Sequence, residues 1–262
     1  VFTKPGLPDT LVAERLLADA IDVESGARVL DLRCGTGLVG AALSARGAEV
    51  TLYDDNVVAM EAARRTLANN AVHGNAVVER PHPSTAASSR VARSASAQDA
   101  YDVAIINAPK GREVGRRLTR SAICALKVGG RLYIGGANRG GVKSLIDDAR
   151  EFVGEMSVIK IKAAHRVAMG VRGEALDLND ESEFTEHTAT VRAETWRYAS
   201  SPGVFAWDRL DDGSRALIET MQLKPTDTVL DLGCGSGLVG LVASTLADRV
   251  VSVDASALAV EA

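Results

Sequence analysis

Apolar positions along this chain follow two alternating rhythms: short continuous runs, and longer stretches where they return every three or four residues. Leu11–Ile21 has the helical spacing, and Arg28–Leu32 is a short apolar run that predicts a strand. Leu38–Ala45 predicts a helix starting directly after a glycine-rich turn, followed by a strand over Glu49–Tyr53 and a helix over Val57–Asn69. Ala76–Glu79 is a weaker strand, and Pro81–Ala100, rich in Ser, Ala and Arg, reads as a long loop. Asp102–Asn107 is a buried strand ended by Pro109, and Glu113–Lys127 a helix closed by Gly129 and Gly130. Arg131–Ile134 is the next strand and Val142–Phe152 the next helix, with Val158–Lys162 and His165–Val171 as a closing antiparallel hairpin. Strands alternating with helices predict an α/β, doubly wound and mostly parallel sheet with one antiparallel edge.

A repeat then fixes the organisation. Residues 27–62 match residues 227–262 without gaps at 16 of 36 positions. Residues 1–173 therefore read as a first domain, the acidic stretch 174–187 as a linker, and 188–262 as the start of a second copy. In that second part Thr188–Tyr198 predicts a strand pair, Ser201–Phe205 a loop and Asp208–Met221 a helix. The second copy stops inside its second helix, so the expectation is a truncated product that folds well over 1–173 and poorly after about residue 225.

The turn between the first strand and helix of each copy carries the chemistry. Gly35, Gly37 and Gly40 satisfy the dinucleotide fingerprint, with Asp54 at the distance of a ribose contact. In both copies, however, an acid precedes the glycines. Asp231, Gly233, Gly235 and Gly237 resemble the S-adenosylmethionine (SAM) turn of the Rossmann-like methyltransferases, with Asp254 as the ribose acceptor. Glycines let the turn approach a ligand closely, and a carboxylate at the strand end suits the positive methionine end of SAM. In the first copy Arg33 replaces the glycine, beside Asp31, Gly35, Gly37 and Asp54. Its charge and bulk oppose the cofactor, and pairing with Asp31 is its simplest accommodation. This copy is expected not to bind SAM.

Asn107-Ala108-Pro109-Lys110 resembles a decayed form of the Asn-Pro-Pro-aromatic loop of amino-group methyltransferases. Lys110, Arg112, Arg116, Arg117 and Arg120 follow it, and Arg112, Arg116 and Arg120 share one helix face. They are candidate RNA contacts, with a solvated helix face as the plain alternative. The charge distribution allows either: residues 1–173 carry 24 Lys and Arg against 18 Asp and Glu, while residues 174–262 carry 6 against 16. Three scattered cysteines and four isolated histidines give neither a disulfide framework nor a metal site. No apolar run is long enough to span a membrane, and a cytoplasmic setting is the simplest reading.

With these motifs in place the chain resembles the bacterial ribosomal RNA guanine-N2 methyltransferases built from tandem methyltransferase-like domains, small-subunit type with a large-subunit sister group. The carriers are Gly136–Lys143, the interdomain segment Ser201–Ser214 and the Asp231–Gly237 turn. The resemblance implies a first domain that is inactive and holds RNA. It implies a second domain that binds SAM and methylates the exocyclic N2 amine of a guanine in ribosomal RNA or a ribosomal subunit. The catalytic residues would then lie beyond residue 262. Other readings are an amino-group methyltransferase for protein or small molecules, a non-catalytic RNA-binding scaffold, and an NAD-dependent oxidoreductase, which the leading Asp231 disfavours.

Overall fold

The computed structural model describes residues 11–70, 76–78, 101–174 and 184–262. The Pro81–Ala100 loop, Glu79 and most of the 174–187 linker lie outside these residues. The chain divides into two compact units, Val1–Asp180 and Glu181–Ala262.

The first unit holds seven strands: β1 (Arg28–Leu32), β2 (Glu49–Tyr53), β3 (Ala76–Val78), β4 (Tyr101–Asn107), β5 (Leu126–Ala137), β6 (Met156–Lys162) and β7 (His165–Val171). Their order in the sheet is β3-β2-β1-β4-β5-β7-β6. β1 to β5 run parallel, and β7 and β6 close the edge as an antiparallel hairpin. Five helices accompany the described strands: α1 (Leu11–Ala20), α2 (Leu38–Ser44), α3 (Val57–Asn69), α4 (Arg112–Ala125) and α5 (Val142–Val153). Central strands are apolar on both faces, so each face gathers its own core. One core joins Leu30, Ile106 and Ile134 to α4 and α5, and the other joins Val29, Val103 and Ile105 to α1, α2 and α3. This is a Rossmann-like methyltransferase fold.

The elements follow the sequence closely, with two corrections in this unit. The helix expected over Glu113–Lys127 stops at Ala125, because the fully buried Leu126 turns extended and pairs with Tyr101. Gly129 (φ 79°) instead shapes the irregular start of β5, where Gly129 and Gly130 exchange backbone hydrogen bonds with Arg172. Strand β6 starts two residues early, at Met156, which is buried and pairs with Gly170.

The second unit contains an antiparallel hairpin, β8 (Thr185–Val191) and β9 (Glu194–Ser200), then α6 (Asp212–Thr220), β10 (Thr228–Leu232), α7 (Leu238–Ala243), β11 (Arg249–Val253) and α8 (Ala257–Glu261). The hairpin extends beyond the expected Thr188–Tyr198 at both ends. Helix α6 starts at Asp212 rather than Asp208, since the Asp211 carboxylate caps it by accepting from Gly213 N (3.0 Å) and Ser214 N (3.1 Å). β10 pairs β11 in the same five-residue register that joins β1 to β2.

The two β-pairs differ in cover. Leu30 and Leu32 are buried, whereas Leu230 is 62% and Leu232 80% exposed. The elements after residue 225 are therefore formed, but one apolar face of β10–β11 is open. Amide exchange is governed by local opening, so the amides of β10 are expected to exchange at least about 100-fold faster than those of β1. Equal protection, read by hydrogen exchange, would show that this face is covered in solution.

Candidate cofactor site

In the second unit the chain leaves β10 through a turn that uses the left-handed backbone region at three alternate positions: Gly233 (φ 81°), Gly235 (φ 54°) and Gly237 (φ 76°). An L-residue pays about 1–2 kcal/mol there, which accounts for the glycines. Two carboxylates clamp the turn. Asp254, at the end of β11, accepts from Gly235 N (3.0 Å) with one oxygen and Ser256 N (2.8 Å) with the other. Asp231 accepts from Gly240 N (3.0 Å), in the first turn of α7. Both carboxylates remain half-exposed. Partial burial raises the Asp231 pKa, the Gly240 N–H lowers it, and the neighbouring Asp254 raises it. A Cβ added at Gly233 or Gly237 would meet nothing within 4 Å, and one at Gly235 only Val204 at 3.9 Å. The turn thus presents an open, backbone-lined cradle flanked by two carboxylates.

The first unit repeats this turn and closes it. Arg33 (φ 60°), Gly35 (φ 56°) and Gly37 (φ 75°) adopt the same backbone, and Asp54 clamps Gly35 N (3.1 Å) and Asn56 N (2.9 Å). Asp31 is 1% exposed and its Oδ2 has no hydrogen-bond partner. Glu14 of α1, also buried, accepts from the hydroxyl of Thr36 inside the turn. Burial pushes the Asp31 pKa well up, and Glu14 and Asp54 push it further. The expected Arg33–Asp31 pair is absent. The Arg33 charge acts on Asp54, whose pKa burial raises and the Asn56 N–H, Arg33 and the Gly35 N–H lower. The sequence reading also missed Glu14. Its signal was a carboxylate on the apolar stripe of α1, between Leu11 and Leu17.

Asn107 is buried at the end of β4, Pro109 is buried and Lys110 is exposed. The arginines expected to meet RNA also have partners within the unit, while the Arg112 side chain stays 64% exposed. Arg112 donates to both Asp148 oxygens (2.5–3.2 Å), and Arg116 pairs with Asp148 (3.3 Å) and Glu151 (2.8 Å) of α5. Arg116 and Arg120 both lie over the Phe152 ring, 5.9 Å from its centre. Arg112, Arg116 and Arg120 do share one face, and that face packs on α5. Arg117 points elsewhere and pairs with Asp55 (2.7 Å). The two guanidiniums hold the Asp148 carboxyl below its ordinary range, Arg112 most of all.

The sheet order and the acid-flanked glycine turn define the Rossmann-like methyltransferases. The chain belongs to the methyltransferase small domain family, which matches residues 8–168 and 195–262. It is similar to ribosomal RNA small subunit methyltransferase C of Pseudomonas entomophila, at 32% identity over 143 residues (54% of this chain, 42% of that protein). The same-named protein of Pseudoalteromonas atlantica is 28% identical over 165 residues (61% and 48%). The chain spans less than half the length of these curated relatives. Among solved structures, a 16S rRNA N2 methyltransferase of T. thermophilus, in complex with AdoMet and guanosine, matches with a TM-score of 0.76 and 26% identity, over 99% of this chain and 67% of that one. No helix among the described residues is long and apolar enough to cross a membrane.

Proposed function

We propose that the chain is part of a cytoplasmic SAM-dependent methyltransferase that modifies the exocyclic N2 amine of a guanine in ribosomal RNA. In this reading the second domain, 188–262, within the second unit, holds the cofactor, and the first domain, 1–173, is non-catalytic. The observation that carries it is a contrast in residues present in both turns: Gly233 leaves open space beside Asp231 and Asp254, whereas Arg33 takes that place in a turn where Glu14 of α1 also accepts from Thr36. The name of the T. thermophilus protein supports the choice of guanine N2.

The residues present fit SAM. Gly233, Gly235 and Gly237 would admit the ligand against the backbone, Asp231 would face its positive methionine end, and Asp254 would accept from the ribose hydroxyls while clamping Gly235. SAM supplies an electrophilic methyl group on sulfur, and the protein's part in such a transfer is alignment and exclusion of water. Holding the turn rigid is the contribution that Asp254 makes. Asn107 stands where a target-amine acceptor would, but Lys110 replaces the stacking aromatic, so no residue of this chain is assigned the transfer step.

Calorimetry with S-adenosylhomocysteine tests the cofactor reading. The chain should bind it, and Asp254→Ala should weaken binding at least about tenfold, the loss of a charged hydrogen-bond acceptor. No binding by the unaltered chain, or equal binding by both, overturns the reading.

A further inference from the structure

The carboxyl edge of the first unit's sheet gathers six cations. Arg33 follows β1, Lys110 follows β4, Arg139 and Lys143 follow β5, and Lys162 ends β6. Arg166, near the start of the antiparallel β7, reaches the same edge opposite Gly136 of β5. None of the six makes an ion pair among the described residues; Arg166 donates only to the Asn138 side-chain oxygen (2.7 Å). Lys110, Arg139, Lys143 and Lys162 are exposed. Adjacent strands lie about 4.8 Å apart, so the five strands from β1 to β6 spread these charges over roughly 19 Å.

The loops after β4 and β5 also meet. They border a cleft of about 210 Å³ lined by Pro109, Gly111, Gly141 and Ser144, with Arg112 and Asp148 on its wall. Asp148 is neutralised by Arg112 and Arg116. Glu113 is the acid in the first turn of α4, and the first turn of α5 has none. The opposite edge of the sheet is different. There Lys127 pairs with Asp102 (2.9 Å), and Arg46 and Arg172 donate to backbone carbonyls.

We propose that this rim is a track for the sugar-phosphate backbone of RNA. It would let the first unit hold substrate through its strand-end loops rather than through the α4 face. The inference rests on the RNA-methyltransferase reading. It gives Arg33 a use on the surface of its turn.

The test is fluorescence anisotropy of the whole chain with a labelled ribosomal RNA hairpin over a series of KCl concentrations. The triple substitution Lys110→Gln, Arg139→Gln and Lys143→Gln should weaken binding at least about tenfold and make the log–log salt slope shallower by about 2 to 3, the counterion release of three contacts. A control at the opposite edge, Lys127→Gln with Arg131→Gln, should stay within about twofold of the unaltered chain. If the triple variant melts earlier than the parent, the three single variants carry the same comparison. A rim variant that binds like the parent, a control that loses as much, or a parent that binds no RNA at low salt overturns the proposal. S-adenosylhomocysteine calorimetry on the same variants is expected to be unchanged. A failure of the rim is thereby distinguished from a failure of the cofactor reading.

Discussion

Gly233→Arg is expected to lower affinity for S-adenosylhomocysteine at least about 100-fold, or roughly 2.7 kcal/mol. The substitution writes the first unit's turn into the second. Two effects separate cleanly. The left-handed conformation at Gly233 (φ 81°) costs any L-residue stability in free and bound chain alike. Gly233→Ala should therefore destabilise the second unit by about 1 kcal/mol, and its Cβ, entering the open space that would admit the ligand, should cost affinity far less than arginine does. Arginine adds what alanine lacks: a guanidinium beside the ligand's ammonium, where like charges cost several kcal/mol. Calorimetry on the two variants resolves the two effects, and arginine binding within threefold of alanine would sink the argument. The reverse change, Arg33→Gly, should not create a site, because Glu14 still fills that turn, accepting from the Thr36 hydroxyl.

The second large effect has the opposite sign: Asp31→Asn should stabilise the first unit at neutral pH, because it removes a negative charge buried beside two other acids. The physical cause is the Asp31 carboxyl, sealed from water beside Glu14 and Asp54 with one oxygen unpartnered. Its pKa is raised on folding. The folded state then binds the extra proton, so the stability from this group is complete below the ordinary carboxylate pKa and is lost as pH rises through the folded value. Chemical denaturation from pH 4 to 8 should show the parent weakening with rising pH over this range and Asp31→Asn following a flatter course. Asp148 runs the other way. Its lowered pKa contributes stability above the ordinary carboxylate range that is lost in acid. A variant at Asp31 that unfolds more easily than the parent at neutral pH would mean that its charge is compensated by a group not identified in the turn.

The fold was legible because its signals are local. Apolar runs such as Asp102–Asn107 need both faces covered, and the glycine turn announces where strand becomes helix. What stayed hidden depends on tertiary partners. Periodicity places Arg112, Arg116 and Arg120 on one face but cannot reveal that α5 brings Asp148, Glu151 and Phe152 against it. Of the cations that form no ion pair among the described residues, Arg139 sits in a loop and Lys143 at the very start of α5, where spacing carries little facial information. Likewise Gly129 marked a helix end in the sequence because glycine commonly does so, yet the burial of Leu126 ended that helix two residues before the expected Lys127. For the site, acid and glycine spacing located both turns. Which turn is closed depended on Glu14, more than twenty residues upstream of Thr36.

The two turns bear on how readily such a site can be lost. Every glycine codon lies a single base from an arginine codon, so the Gly233 and Arg33 versions are one point mutation apart. Arg33 nevertheless keeps φ at 60°, with Gly35 still clamped by Asp54 as Gly235 is by Asp254. The clamp, and not the residue at that position, holds the backbone in shape. A gene copy could thus have shed its ligand at a stroke while its scaffold stayed intact, leaving a framework free to acquire a different surface task.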